Sequence, residues 1–194
     1  MAKVYTIAES VAELKQLIAE DRIRELGEVV LSKNGMDWKV IHKDGDGIVI
    51  QMCQAYDYRP FARPDKQHPW GWNNYTASQI RRELNDEVIT ALFGDEQELI
   101  EDWQGMGKLF LLSEEEAGFR QTEDTFQYYR GEDEDELDSR RALKDGDGDP
   151  TFWWLRSPNP GHASSARYVL TDGSLSSYIA YNGLGAVAAC AIKK

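Results

Sequence analysis

The chain has 194 residues and a mass of 22.1 kDa, is 41% hydrophobic and 11% aromatic, and so suits one domain with a sizeable core rather than a disordered chain. Its formal charge of −12 argues against nucleic-acid binding through a basic surface. That charge is unevenly spread: residues 1–94 carry 14 acids and 12 bases, residues 95–149 carry 19 and 6, and residues 150–194 carry 1 and 4.

At the N-terminus, MAKVYTIAES lacks a basic head followed by an apolar stretch, so no signal peptide is expected. No run of about 18 apolar residues occurs either. The chain is expected to be cytoplasmic as synthesised, with carriage in a virion as the alternative. Ser10-Val11-Ala12-Glu13 is a capping box, and Val11, Leu14, Leu17 and Ile18 form one apolar stripe. This predicts a helix from Val11 to about Leu26, ended near Gly27. Residues 1–27 are read as a helix packed on a domain that spans 28–194.

Val29 to Leu31 reads as a short strand. Trp38, Val40 and His42 alternate with polar residues, Asp44-Gly45-Asp46-Gly47 is a turn, and Ile48-Val49-Ile50 resumes an extended run. The pattern is a β-hairpin. Residues 54–75, with Tyr56, Tyr58, Phe61, Trp70, Trp72 and Tyr75, read as an irregular loop covering a core. Ala77 to Leu84 and Asp86 to Phe93 read as two helices, the second ended by Gly94. Lys108 to Ser113 reads as a buried strand, with Ser113 capping a turn of Glu114-Glu115-Glu116.

Residues 120–150 are polar and acidic. Asp145-Gly146-Asp147-Gly148-Asp149-Pro150 begins like a calcium loop, but Pro150 stands where glycine is required and Arg156 where glutamate is required. A solvated insertion is expected, with weak cation binding at most. Beyond it, Phe152 to Leu155, Arg167 to Leu170, Ser177 to Ala180 and Ala186 to Ile192 read as strands. Arg156 to Gly161 reads as a turn-rich loop, and Trp153 and Trp154 are expected to face opposite ways.

Candidate chemistry is sparse. Cys53 and Cys190 sit in separate apolar runs and read as buried free thiols. His42, His68 and His162 are scattered, so no metal site is expected. Ser157 and Ser174 lie in no nucleophile elbow, and neither GxxxxGK[ST] nor a strand-following GxGxxG occurs. The carboxylates of 132–138 read as a solvated face. No enzyme and no cofactor is expected. The segment GHASSARYVLTDGSLSSYIAYNG, from Gly161 to Gly183, is rich in Ser, Tyr, Ala, Gly and Asn. Tyrosine gives contact area at low entropic cost and Ser and Asn give adaptable hydrogen bonds, the palette of a binding surface. The expected ligand-binding residues are His162, Ser164, Ser165, Arg167, Ser176, Ser177, Tyr178, Tyr181 and Asn182. The partner would be a protein or a cell-surface ligand, with no nucleic acid and no membrane insertion, and oligomerisation is open.

Trp153-Trp154-Leu155-Arg156-Ser157-Pro158, then Asp172-Gly173, then Gly185-Ala186-Val187-Ala188-Ala189 resemble an uncharacterised domain family of Firmicutes and their phages. Members read W-x-L-R-S-P, then D-G, then a terminal G-V-R-P-A. Trp38-Lys39-Val40-Ile41, Ser78-Gln79-Ile80-Arg81-Arg82-Glu83-Leu84-Asn85 and Phe110-Leu111-Leu112-Ser113 fit the same family, so the resemblance spans about residues 25–194. Ala188 and Ala189 depart from its usual ending. The resemblance implies an α+β, C-type lectin-like fold with short mixed and antiparallel strands, two or more helices and long irregular loops. That fold is shared with the variable proteins of diversity-generating retroelements and with formylglycine-generating enzymes. The first relationship implies a C-terminal surface whose codons are rewritten, carried by the structural residues Trp153, Trp154 and Arg156. The second would imply copper chemistry at cysteine. A structural or receptor-binding component of a phage virion is a further reading, docked through the N-terminal helix or the acidic segment.

Overall fold

A computed structural model describes residues 7–23 and 25–194. Residues 1–6, where most of the leader reading falls, and Arg24, within the expected first helix, lie outside them. The fold is α+β.

Helix α1 (Val11–Ala19) begins as its sequence directs: Ser10 Oγ accepts from Glu13 N–H at 3.1 Å. It ends seven residues earlier than the apolar stripe suggests. Asp21 takes a left-handed backbone, φ +51°. Arg22 N–H then donates to Leu17 O and Asp21 N–H to Ile18 O, a Schellman stop closed without glycine. Val11, Leu14, Leu17 and Ile18 are buried, and the helix packs on strands β1 (Val29–Lys33) and β11 (Ala189–Lys193).

The first sheet has the order β1-β2-β3-β11, all antiparallel: β1 (Val29–Lys33), β2 (Met36–Lys43), β3 (Gly47–Met52) and β11 (Ala189–Lys193). The β2–β3 hairpin turns where expected, with Asp44 Oδ1 accepting from the N–H groups of Asp46 and Gly47. Burial along β2 does not alternate, because Lys39 is covered as well as Trp38, Val40 and Ile41. The covering side comes from the acidic segment. Tyr129 OH donates to Gln51 Oε1 at 2.5 Å, and Lys43 N–H donates to Gln127 Oε1.

That segment therefore departs from a simple solvated insertion. It holds α4 (Glu134–Arg141) and buries Phe126, Tyr129, Leu137 and Arg141. The fully buried Arg141 guanidinium donates to Ala117 O, Gly118 O, Glu134 and Asp138. The exposed stretches are 121–124, 130–136 and the 145–149 turn, the last set between the two-residue strands β5 (Leu143–Lys144) and β6 (Pro150–Thr151).

The two helices expected over 77–93 are one continuous run. Strand β4 (Tyr58–Pro60) precedes it; then α2 (Gln79–Glu83) passes through a π-helical turn at Leu84–Val88 into α3 (Ile89–Phe93). Asn85 inside the π turn exchanges hydrogen bonds with Leu109, accepting from its N–H and donating to its carbonyl. Lys108 to Ser113 is not a strand. It is a buried extended segment held to β11 by a single bridge between Phe110 and Ala189. Neighbouring turns bend it away before a ladder can form.

The second sheet has the order β4-β10-β7-β8-β9: β7 (Trp153–Pro158), β8 (Ser165–Val169), β9 (Leu175–Ile179) and β10 (Gly183–Gly185). Only β10 and β7 are parallel. Trp153 and Trp154 do face opposite ways, yet both are fully buried, because both faces of β7 are covered. β7 also runs through Arg156 to Pro158, where a loop was expected.

Candidate binding surface

The β8–β9 hairpin divides the expected ligand-binding residues between two faces. Its register pairs Ala166 with Tyr178, Arg167 with Ser177 and Tyr168 with Ser176. Paired residues share a face and successive ones alternate. Ser176 and Tyr178 therefore lie with Tyr168 on one face, and Ser165, Arg167 and Ser177 on the other.

The second face is already engaged. Arg167 Nη1 donates to Ser177 Oγ at 2.9 Å. Arg167 Nε approaches Glu114 Oε2 to 3.1 Å at an angle that makes an ion pair without a hydrogen bond. Arg167 and Ser177 thus belong to the support of the hairpin, while Ser165, half-buried on the same face, is held through its carbonyl, which accepts from Asn73 Nδ2 and Asn159 N–H.

The first face is aromatic. Tyr178 is 44% exposed, and its ring centroid lies 6.0 Å from that of Tyr168. Tyr168 continues to the exposed Phe152 at 5.8 Å and to the buried Trp154 at 6.2 Å. Trp154 is closed from beyond by Phe61, edge-on at 5.7 Å. The exposed rings rest on a packed core.

A second aromatic pair joins the 61–74 loop to the end of β9. Trp70 and Tyr181, 59% and 38% exposed, have centroids 6.1 Å apart. Gly71 makes this approach feasible. Its φ is +79°, and a Cβ there would fall 2.6 Å from Ala62 O and 3.1 Å from Ala180 Cβ. Of the aromatics in the 54–75 loop, Phe61 and Tyr75 are buried in the core and Tyr56 packs against it, whereas Tyr58, Trp70 and Trp72 are exposed. Trp72 stacks on His68 at 4.8 Å and lines a cleft of about 570 Å³ with Asn74, Gln79 and Arg82.

His162 and Ser164 lie in the connection before β8, which Asn73 fixes. Asn73 Nδ2 donates to His162 O at 3.1 Å and Ser165 O at 3.0 Å, and Asn73 N–H donates to Ala163 O. His162 is exposed and Ser164 half-buried. Asn182 closes a turn on Ile179 O. Reading the sequence missed Trp70, Phe152 and Asn73. Trp70 and Phe152 could be recognised only by the loop and sheet that leave them uncovered, and a lone asparagine carries no local signal.

The residues that carried the family resemblance prove to be ties within the scaffold. Trp153 Nε1 donates to Arg141 O and Trp154 Nε1 to Arg59 O. Arg156 donates to Leu111 O at 2.7 Å and takes both carboxylate oxygens of Glu116. Ser157 Oγ accepts from Glu114 N–H. Ser78 caps α2, and Arg81 donates to the carbonyls of Gly105 and Met106.

Cys53 and Cys190 are not brought together. Cys190 pairs with Ile50 and is buried, with burial pushing its thiol pKa up. Cys53 lies three positions past Ile50, opens on the other sheet face and is only half-buried. Among the described residues, no cluster of three His, Cys, Asp or Glu side chains is arranged to hold a metal, and no helix is long and apolar enough to cross a membrane.

The chain belongs to the family described as a domain of unknown function, DUF6273, whose match covers residues 38–194. No curated protein and no solved structure matches it.

Proposed function

We propose that the protein is a ligand-binding display protein of C-type lectin-like fold, whose binding surface is the aromatic face around Tyr178, Tyr168 and Phe152 with the Trp70–Tyr181 pair. The observation that carries this reading is where large apolar side chains remain exposed. Among the described residues they are Ile7, Leu26, Tyr58, Trp70, Trp72, Phe152, Tyr178 and Tyr181; all but the first two are aromatic, and all but those two lie on the second sheet, beside its strands or on its covering loop. Rigid rings mixed with serine and asparagine lose little entropy on contact and little hydration energy on burial. The partner is a protein or a cell-surface molecule. A receptor-binding component of a phage virion would use the same face.

The resemblance to variable proteins of diversity-generating retroelements is carried forward in a narrower form. The exposed Tyr178 and Tyr181 and the half-buried Ser176 and Asn182 can change without emptying the core, whereas the Arg167 and Ser177 side chains are engaged with each other. Diversification predicts a reverse transcriptase gene nearby and a near-copy of the gene's 3′ end. Mismatches should fall at template adenines and avoid the engaged codons.

Binding itself is tested with fluorescently labelled protein on a panel of Firmicute cells, read by flow cytometry. Tyr178→Ala with Tyr181→Ala should lower binding at least tenfold and leave the melting temperature within about 2 °C, because surface truncations away from the core cost little stability. Leu26→Ala, an exposed apolar control in the turn before β1, should bind as wild type. Equal binding by the double variant, or a large loss of stability in it, would overturn the assignment.

A further inference from the structure

The two larger sheets have four edges, and three are closed. Along β1, Ala8 N–H donates to Val30 O and Ala8 O accepts from Ser32 N–H, both at 2.9 Å. Along β11, Glu101 N–H donates to Ala191 O, and Phe110 bonds Ala189 in both directions. Strand β4 is three residues long, ends in Pro60 and yields its Arg59 carbonyl to Trp154. Short length, proline and covering segments are the usual protections of a sheet edge.

Strand β9 has none of them beyond modest length. Leu170 N–H donates to Ser174 O and Ala180 N–H to Ser164 O. By the alternation of an antiparallel ladder, the backbone groups of Ser176 and Tyr178 also face β8. Those of Leu175, Ser177 and Ile179 then face outward. Among the described residues only Asn182 N–H reaches them, on the Ile179 carbonyl. The pairing with β8 has no bulge, and no charged residue or proline occurs from 173 to 192.

We propose that β9 is a homodimerisation edge, pairing antiparallel with β9 of a second copy about a two-fold axis at Ser177. The sequence Leu-Ser-Ser-Tyr-Ile fits itself in that register. Leu175 meets Ile179 on one face, Ser176 meets Tyr178 on the other, and Ser177 meets its own copy. Apolar pairs with apolar and hydroxyl with hydroxyl, and two copies of a chain of charge −12 touch with no like charges opposed. The two five-stranded sheets become one ten-stranded sheet, and both Tyr178 rings lie on the same face. The pairing stands whether or not that face binds a ligand.

A five-residue ladder belongs to the weak class of interfaces, so dissociation is expected at about 1–100 μM. Sedimentation of the full chain from about 1 to 500 μM should show a reversible dimer. Ser177→Pro deletes an outward-facing donor and no backbone bond to β8. Of the β8 contacts it loses only the Arg167 bond to Ser177 Oγ, which Ser177→Ala removes alone as a control. It should weaken dimerisation at least tenfold relative to that control with an unchanged circular dichroism spectrum. In a Cys53→Ser background, oxidised Ser177→Cys should give a disulfide-linked dimer and Ser174→Cys should not. This cross-link reads the same axis should the proline variant misfold. A monomer at every concentration overturns the proposal, as does a dimer untouched by Ser177→Pro, or a folded Ser177→Cys variant that fails to cross-link. A mixed dimer formed only with a foreign extended peptide would assign the edge to another partner and overturn it too.

Discussion

Glu116→Gln is the sharpest probe of the scaffold beneath the binding face. One Glu116 oxygen accepts from Trp103 Nε1 at 3.1 Å and from Arg156 Nη2 at 2.7 Å; the other accepts from Ser113 N–H at 3.0 Å and from Arg156 Nη1. The two side chains are only 5% and 15% exposed. The amide keeps the shape but turns one acceptor into a donor facing two donors, and it removes the only carboxylate on Arg156. Breaking a buried pair from one side costs about 3–5 kcal/mol. Arg156 keeps its bond to Leu111 O and some water, so about 2–4 kcal/mol is expected. In a chain of this length that lowers the melting temperature by about 5–15 °C. Urea unfolding should show a lower midpoint with an unchanged slope. Arg156→Met combined with Glu116→Gln should cost less than the two separately, by about 1–3 kcal/mol. A Glu116→Gln midpoint equal to wild type, or strictly additive costs, would refute the account.

Gly71→Ala and Gly35→Ala form a matched pair. Both glycines have φ +79°, but a Cβ at Gly35 meets nothing within 4 Å, whereas one at Gly71 meets Ala62 O at 2.6 Å. Gly35→Ala should cost about 1 kcal/mol for backbone strain, and Gly71→Ala at least about 1 kcal/mol more, with altered tryptophan fluorescence as Trp70 leaves Tyr181. Equal urea midpoints would contradict the close approach. Lys39 offers a pH test. It is 8% exposed, lies 4.7 Å over the Tyr128 ring, and shares a sheet face with Asp37, Gln51 and Cys53. Burial lowers its pKa from an ordinary 10.5 to about 8. Folding thus disfavours the ammonium: the penalty is full below pH 8, falls as pH rises towards 10.5, and amounts to about 3 kcal/mol. Lys39→Met should therefore stabilise the protein most at pH 7 and progressively less by pH 10. A constant difference in urea midpoint between variant and wild type from pH 7 to 10 would sink this.

Local chemistry was legible where one short segment decides the outcome. The Ser10 cap, the Asp44–Gly47 turn and the Ser113 cap on Glu116 N–H each involve groups within four residues of one another. The failures share the opposite feature. Trp153 and Trp154 alternate as expected, but what covers each face comes from elsewhere: Arg141 on one side, Phe61 and Arg59 on the other. The same holds for Arg167. Composition placed it among binding residues, and only the fold shows it tied to the distant Glu114 and to Ser177. A binding palette can be read from sequence; which half of it faces water is set by register and by partners 40 or more residues away.

Charge shows how the two halves fit. Treated as segments, the acidic 95–149 and the mildly basic 150–194 divide solubility from function. In the folded chain they are complementary. Glu114 and Glu116 from the acidic part hold Arg167 and Arg156 of the C-terminal strands, and Glu134 and Asp138 hold Arg141 beside Trp153. Part of the acid is thus structural, oriented toward the sheet whose other face carries the exposed rings. A surface meant to vary needs a support that does not depend on it. Carboxylates that reach the strands from behind supply that support, leaving Tyr178 and Tyr181 free of structural duty.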